Sequence, residues 1–171
     1  MKKPKIQIRN RFTGEVIYES EKETIKEVVE EAISKNIDLN NADLRDADLE
    51  NVDLENANLE NANLKNADLR NADLKNVDLR GAVLKNANLF NAILKNVDLR
   101  NAILENTDLS FSDLKNVDLR GADLINADLR NIDLENADLE NAYYWKTNFK
   151  HCKVSEKTMK QLIKLMDLKI V

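Results

Sequence analysis

Residues 37–61 read Ile37-Asp38-Leu39-Asn40-Asn41, Ala42-Asp43-Leu44-Arg45-Asp46, Ala47-Asp48-Leu49-Glu50-Asn51, Val52-Asp53-Leu54-Glu55-Asn56 and Ala57-Asn58-Leu59-Glu60-Asn61. The five-residue unit continues without insertion to about His151, roughly 23 copies in all. Leucine holds one position from Leu39 through Leu139, then yields to Tyr144 and Phe149. Two residues before it sits a small side chain such as Ala42, Val52, Thr107 or Ser112. Asp or Asn immediately precedes the leucine in most copies, and Arg, Lys or Glu often follows it. The last position is usually Asn, with Gly81 and Gly121 as substitutes.

A period of five suits neither regular element. On a helix the leucines would spread around the axis and leave no apolar face. On a strand successive leucines would alternate between the two sides of a sheet. A chain that turns once per repeat removes the conflict, because every leucine and every small residue then points inward. Asn suits the corner, since it tolerates unusual backbone angles and bonds to nearby main chain. Each repeat is therefore one side of a solenoid with its corner built in. A buried leucine contributes roughly 1.5–3 kcal/mol, and coils stacked at about 4.8 Å share main-chain hydrogen bonds.

The alanine–aspartate/asparagine–leucine pattern resembles the pentapeptide-repeat proteins and covers about two-thirds of the chain. The resemblance implies an all-β solenoid: a right-handed quadrilateral parallel β-helix with four repeats per coil and about six coils here.

Both ends leave the repeat, which divides the chain into residues 1–36, 37–153 and 154–171. In the first segment Lys5–Arg9 alternates, Thr13-Gly14 reads as a turn and Glu15–Tyr18 returns, a hairpin pattern. Ser20 with Glu23 reads as a capping box, opening a helix whose stripe is Ile25, Val28, Val29, Ala32 and Ile33. Hairpin and helix are expected to cap the first leucine layer around Leu39 and Leu44. In the last segment Ser155 is the expected cap of a helix over 156–167. Its apolar residues Met159, Leu162, Ile163, Leu165, Met166 and Leu168 exceed what closing one coil requires. The excess predicts a two-fold homodimer contact through this helix, with a tail folded over its own last coil as the alternative.

Composition narrows the function. Charged residues make up 33% and the formal net charge is −5, which gives no reason to expect direct nucleic-acid binding. No apolar run reaches membrane-span length, and the single cysteine, Cys152, excludes an intramolecular disulfide, so a reducing cytoplasm is the expected compartment. The repeating carboxylates occupy equivalent positions, whereas an acid–base pair needs two different environments. His151 and Cys152 are the lone His and Cys, and Cys152 falls on the small inward position, which reads as a structural thiol. No phosphate-binding glycine loop or serine elbow is present. The reading is a protein without catalytic, metal or cofactor sites.

Steps of twenty define columns on the outer surface. Lys75, Lys95 and Lys115 form one basic ladder and Arg80, Arg100 and Arg120 its neighbour, both closed by glutamates at their ends. These ladders are a candidate docking strip for an anionic partner. Val83 and Ile103 replace the usual Asp, while Phe90, Ile93 and Phe111 fall near one corner, and together they form a candidate partner patch. Some pentapeptide-repeat proteins mimic B-form DNA, bind type II topoisomerases such as DNA gyrase and protect them from quinolones. Over residues 37–151 there are 22 acidic and 13 basic residues. Spread along about 28 Å of stacked coils, that excess is about half the charge density of duplex DNA. The first reading is accordingly a non-catalytic interaction or scaffold module for an unidentified protein partner. A DNA-mimicking regulator of DNA gyrase is the alternative.

Overall fold

The computed structural model describes residues 4–165. Its elements run β1 (Ile6–Asn10), β2 (Val16–Ser20), α1 (Ile25–Ser34), β3 (Ala42–Asp43), β4 (Asp133–Leu134), β5 (Lys153–Val154) and α2 (Glu156–Leu165). Between β3 and β5 the chain forms a lattice of single-residue bridges, each parallel and each joining residues twenty apart. Asp78 is representative: its N–H donates to the Ala57 carbonyl at 3.1 Å, and its carbonyl accepts from Leu59 N–H at 2.8 Å. The chain thus returns to the same side after four repeats. One residue per side makes the bridge because the next corner follows too soon for a longer strand.

The corners are turns closed by the small inward residue. Val77 N–H donates to the Leu74 carbonyl at 3.2 Å, and the intervening Asn76 has φ 58°. A positive φ at the third turn residue is the signature of a type II turn, which is why Asn or Gly recurs there. Asn side chains also bond up the corners: Asn76 donates to Asn56 at 3.1 Å, Asn96 to Asn76 at 3.1 Å and Asn116 to Asn96 at 3.0 Å. Gly81 departs from this pattern because a Cβ there would lie 2.4 Å from the Asn61 carboxamide oxygen.

Four columns of outward residues define four sides. The first is Asp43, Asn63, Val83, Ile103, Asp123 and Tyr143. The second is Asp48, Asp68, Asn88, Asp108, Asp128 and Asn148. The third is Asp53, Asp73, Ile93, Asp113, Asp133 and Lys153, and the fourth is Asn58, Asp78, Asp98, Asp118 and Asp138. Leucines from Leu39 to Leu139 fill the interior with Ala and Val between them. Where the inward position is polar it finds a carbonyl: Thr107 donates to Leu84 at 2.7 Å and Thr147 to Leu124 at 2.6 Å. Among the described residues no buried side-chain polar atom lacks a partner.

The N-terminal segment joins this lattice through backbone. Strand β1 pairs antiparallel with β2 on one edge and with β3 on the other, so the hairpin is continuous with the first coil. Helix α1 turns Val28, Val29 and Ala32 into the core. Its capping box is Thr24 with Glu27, not Ser20 with Glu23. Ser20 is still paired to Ile6 within β2, and its hydroxyl donates to Glu31, so it cannot serve as the extended residue before the helix. Asn36, at φ 56°, ends the helix, with Ile37 N–H reaching back to the Ala32 carbonyl at 2.9 Å.

At the other end β5 pairs parallel with β4, and α2 lies against the preceding coil. Thr158 donates to the Ala137 carbonyl at 2.9 Å, and the Gln161 carboxamide accepts from Leu139 N–H at 3.1 Å. Leu162 is buried in the core cluster. It is therefore taken up by its own rod and does not offer itself to a second copy as the dimer reading supposed. Met159 is exposed and Ile163 half-buried. Leu165 closes the helix, while Met166 and Leu168 lie outside the described residues.

Candidate interaction surface

Each outward aspartate works first on its own backbone. Asp78 accepts from Arg80 N–H at 3.1 Å, and the same exchange recurs at Asp68, Asp98, Asp118 and Asp128. Where the residue two positions on is arginine, the guanidinium folds back onto the same carboxylate. Arg80 reaches Asp78 at 2.6 Å and also the carboxylate of Glu60 below at 2.9 Å. Arg100 and Arg120 meet Asp98 at 2.6 Å and Asp118 at 2.5 Å. The guanidiniums two residues on hold the carboxyls of Asp43, Asp68, Asp78 and Asp128 below the usual carboxylate range, against the opposing effect of burial.

This geometry decides what the two basic ladders can do. Lys75 pairs with Asp73 at 2.5 Å, Lys95 with Asp113 at 3.0 Å and Lys115 with Asp133 at 3.2 Å. All six ladder cations are therefore engaged by carboxylates of their own third and fourth sides. An anionic partner docking there would have to displace those carboxylates.

The five-residue apolar patch divides in two. Phe90 closes the second side and Phe111 opens the third one coil on, and their ring centroids lie 5.5 Å apart with planes tilted by 56°. Ile93 sits on the third side beside that corner. Val83 and Ile103 bridge directly to one another but on the first side, half a coil away and facing the opposite direction from Ile93. The sequence grouping treated neighbouring coils as one surface, whereas two repeats in a four-repeat coil turn a residue to the far side. Phe111 carries a further oddity: its φ is 63°, at a corner that Asn or Gly holds almost everywhere else.

Two large side chains went unremarked in the sequence, Tyr143 and Trp145. Tyr143 occupies the outward Asp position of the first side, and Trp145 stacks above Ile125 in the column after the leucines. Ile125, Ala142, Tyr143, Trp145, Lys146 and neighbours line an open groove of about 700 Å³. Extending the columns of twenty into the last coil, where the leucine gives way to Tyr144, would have found them. Cys152 is half-buried, donates to the Leu129 carbonyl at 2.8 Å, and burial pushes its thiol up to about 11. Among the described residues no cluster of His, Cys, Asp and Glu is arranged to hold a metal ion, and no helix is long and apolar enough to cross a membrane.

A parallel lattice of twenty-residue period, type II corners held mostly by Asn and an inward leucine in each repeat up to Leu139 define a pentapeptide solenoid. The family model for an array of eight pentapeptide repeats matches residues 37–76, 67–106 and 102–141, and this chain belongs to that family. Pentapeptide repeat proteins are right-handed β-helices. Among solved structures the chain is similar to the pentapeptide repeat protein Rfr23 from the cyanobacterium Cyanothece 51142, at 36% identity and a TM-score of 0.41. That match covers 61% of this chain and 61% of Rfr23, so the chain spans less than two-thirds of that protein's length. A pentapeptide repeat protein from Nostoc Pcc 7120 matches at 29% identity over 77% of this chain and 96% of its own, with a TM-score of 0.34. QnrB1, a plasmid-mediated fluoroquinolone resistance protein, matches at 16% identity over 75% of this chain and 84% of its own, with a TM-score of 0.35. No curated protein matches the chain.

Proposed function

We propose that this protein is a non-catalytic interaction or scaffold module: a four-sided rod of about six coils, closed at one end by the hairpin and α1 and at the other by α2, that works by presenting side chains to a protein partner. The observation that carries the reading is the Phe90–Phe111 pair. A phenylalanine at φ 63° gives up the corner preference for Asn and the Asn ladder, and it leaves both rings partly in solvent. A locally unfavourable, outward-facing aromatic is the kind of feature that function retains. The test is affinity capture from the source cell with wild-type bait and with the F90S/F111S double variant. A captured protein that the double variant loses supports the reading, and identical captures from both baits sink it. A reducing cytoplasm fits the free Cys152.

A second reading, regulation of DNA gyrase by mimicry of DNA, is favoured by the carboxylate columns of the second, third and fourth sides. The arginines folded onto them weaken it, because a mimic needs those charges unneutralised. A supercoiling assay with and without a fluoroquinolone decides: inhibition or protection at low micromolar concentration supports mimicry, and no effect on either removes it. Among the described side chains, pairing of two copies through α2 would draw on Met159 and Ile163, and a monomeric mass at tens of micromolar excludes it.

A further inference from the structure

The first side differs from the other three in charge and in apolar content. Over residues 41–145 it carries three acidic and three basic side chains, whereas the fourth side carries six acidic and three basic. Its charges are also sorted along the rod. At the N-terminal end Arg11, Arg45 and Lys65 face a single carboxylate, Asp43. Arg11 is brought there by the pairing of β1 with β3, and its guanidinium donates to the Asn61 carbonyl at 2.9 Å. Arg45 pairs with Asp43 at 2.7 Å, which leaves Lys65 exposed with no ion-pair partner among the described residues. Higher up, Lys85 and Glu105 neutralise one another at 2.5 Å. Ile103 shares a coil with Glu105, and beyond it come Asp123, Ile125, Tyr143 and Trp145, the last two 65% and 64% exposed.

We propose that the first side is the docking track for an extended segment of a partner protein, acidic at the end that meets Lys65 and apolar at the end that fills the groove beneath Trp145. The inference rests on the reading that the protein acts by presenting its surface, and it names which surface and what chemistry. Charge complementarity sets the polarity, since the cationic end of this side is matched by carboxylates and its far end by alkyl or aromatic side chains. An extended chain lets a short segment reach both ends of this side. From the coil of Asp43 to that of Tyr143 is about 24 Å, the reach of about eight extended residues.

Trp145 is the single tryptophan of the chain and lies at the apolar end of the track, so its emission reports docking without a label. The probe is a synthetic peptide of about eight residues, glutamates in one half and alternating leucine and serine in the other, together with its reversed sequence. A control peptide has lysines in place of the glutamates. One of the two acidic peptides is expected to shift Trp145 emission to the blue saturably, to bind more weakly as salt is added, and to lose at least tenfold in affinity in K65E and in I103D. Both variants change outward side chains, and a thermal melt matching wild type establishes that they fold. No shift with either acidic peptide, equal binding of the lysine control, or a shift indifferent to both variants overturns the proposal. So does a blue shift on concentrating the protein alone, which would mean that a second copy covers this side. If the proposal fails while F90S/F111S still loses a captured partner, the surface-presentation reading stands and the partner sits at the Phe90 corner.

Discussion

Replacing Phe111 with asparagine should make the protein more stable, and the structure fixes the size of the effect. Phe111 sits at φ 63°, where a bulky residue costs about 1 kcal/mol more than asparagine. Directly below, Asn91 donates its carboxamide to Asn71 at 2.9 Å, and among the described residues its own oxygen receives no hydrogen bond. An asparagine one coil above would donate to that oxygen as Asn96 does to Asn76, worth about 1 kcal/mol. Against this stands the loss of the tilted contact with Phe90. With both rings about half in solvent, that contact is worth about 0.5–1 kcal/mol. The net is a gain of about 1 kcal/mol, which for a chain of this length raises Tm by about 2–4 °C. Differential scanning calorimetry of F111N beside wild type measures it, and partner capture by the same variant completes the experiment. A higher Tm with lost capture is the exchange of stability for recognition that a functional aromatic predicts. A lower Tm would refute the reasoning, because it would mean that the aromatic pair outweighs both corner strain and ladder.

Three further outcomes follow from the interior and the ion pairs. Leu79→Ala, at a fully buried position in the middle of the stack, should cost about 2–5 kcal/mol, read as a lowered denaturation midpoint in urea. The carboxyls of Asp68, Asp78 and Asp128 lie below their ordinary values because of the arginines beside them. Folded pKa values lower than unfolded ones give stability that is complete above about pH 4–5 and lost as pH falls through the folded values. Melting temperature should therefore drop from pH 5 toward pH 2, and less steeply in R70Q/R80Q/R130Q; an unchanged slope in that variant would remove the pairs from the account. Cys152, half-buried and titrating near 11, should react with a thiol reagent at pH 8 far more slowly in the folded protein than in urea; equal rates would place the thiol in solvent.

The period of five, read from leucine, alanine and asparagine alone, already required inward leucines, turning corners and coils of stacked repeats, because no other backbone path buries every Leu39-type residue at once. The hairpin and helix over residues 6–34 were equally legible, since alternation and a helical stripe are local signals. The helix cap was not. Ser20 and Thr24 both satisfy the spacing rule, and the pairing of Ser20 with Ile6 across the hairpin left the role to Thr24. The outer surface was readable as columns but not as surfaces. Whether Lys75 or Arg80 stands free depends on side chains folding back onto carboxylates two residues away or one coil off. Whether Val83 shares a face with Ile93 depends on how many repeats close a coil. Identity and spacing along the chain determined the interior of this protein. Its charge pairing, its opposed apolar patches and the groove at Trp145 were decided by a register of twenty, which brings together residues that the sequence keeps a full coil apart.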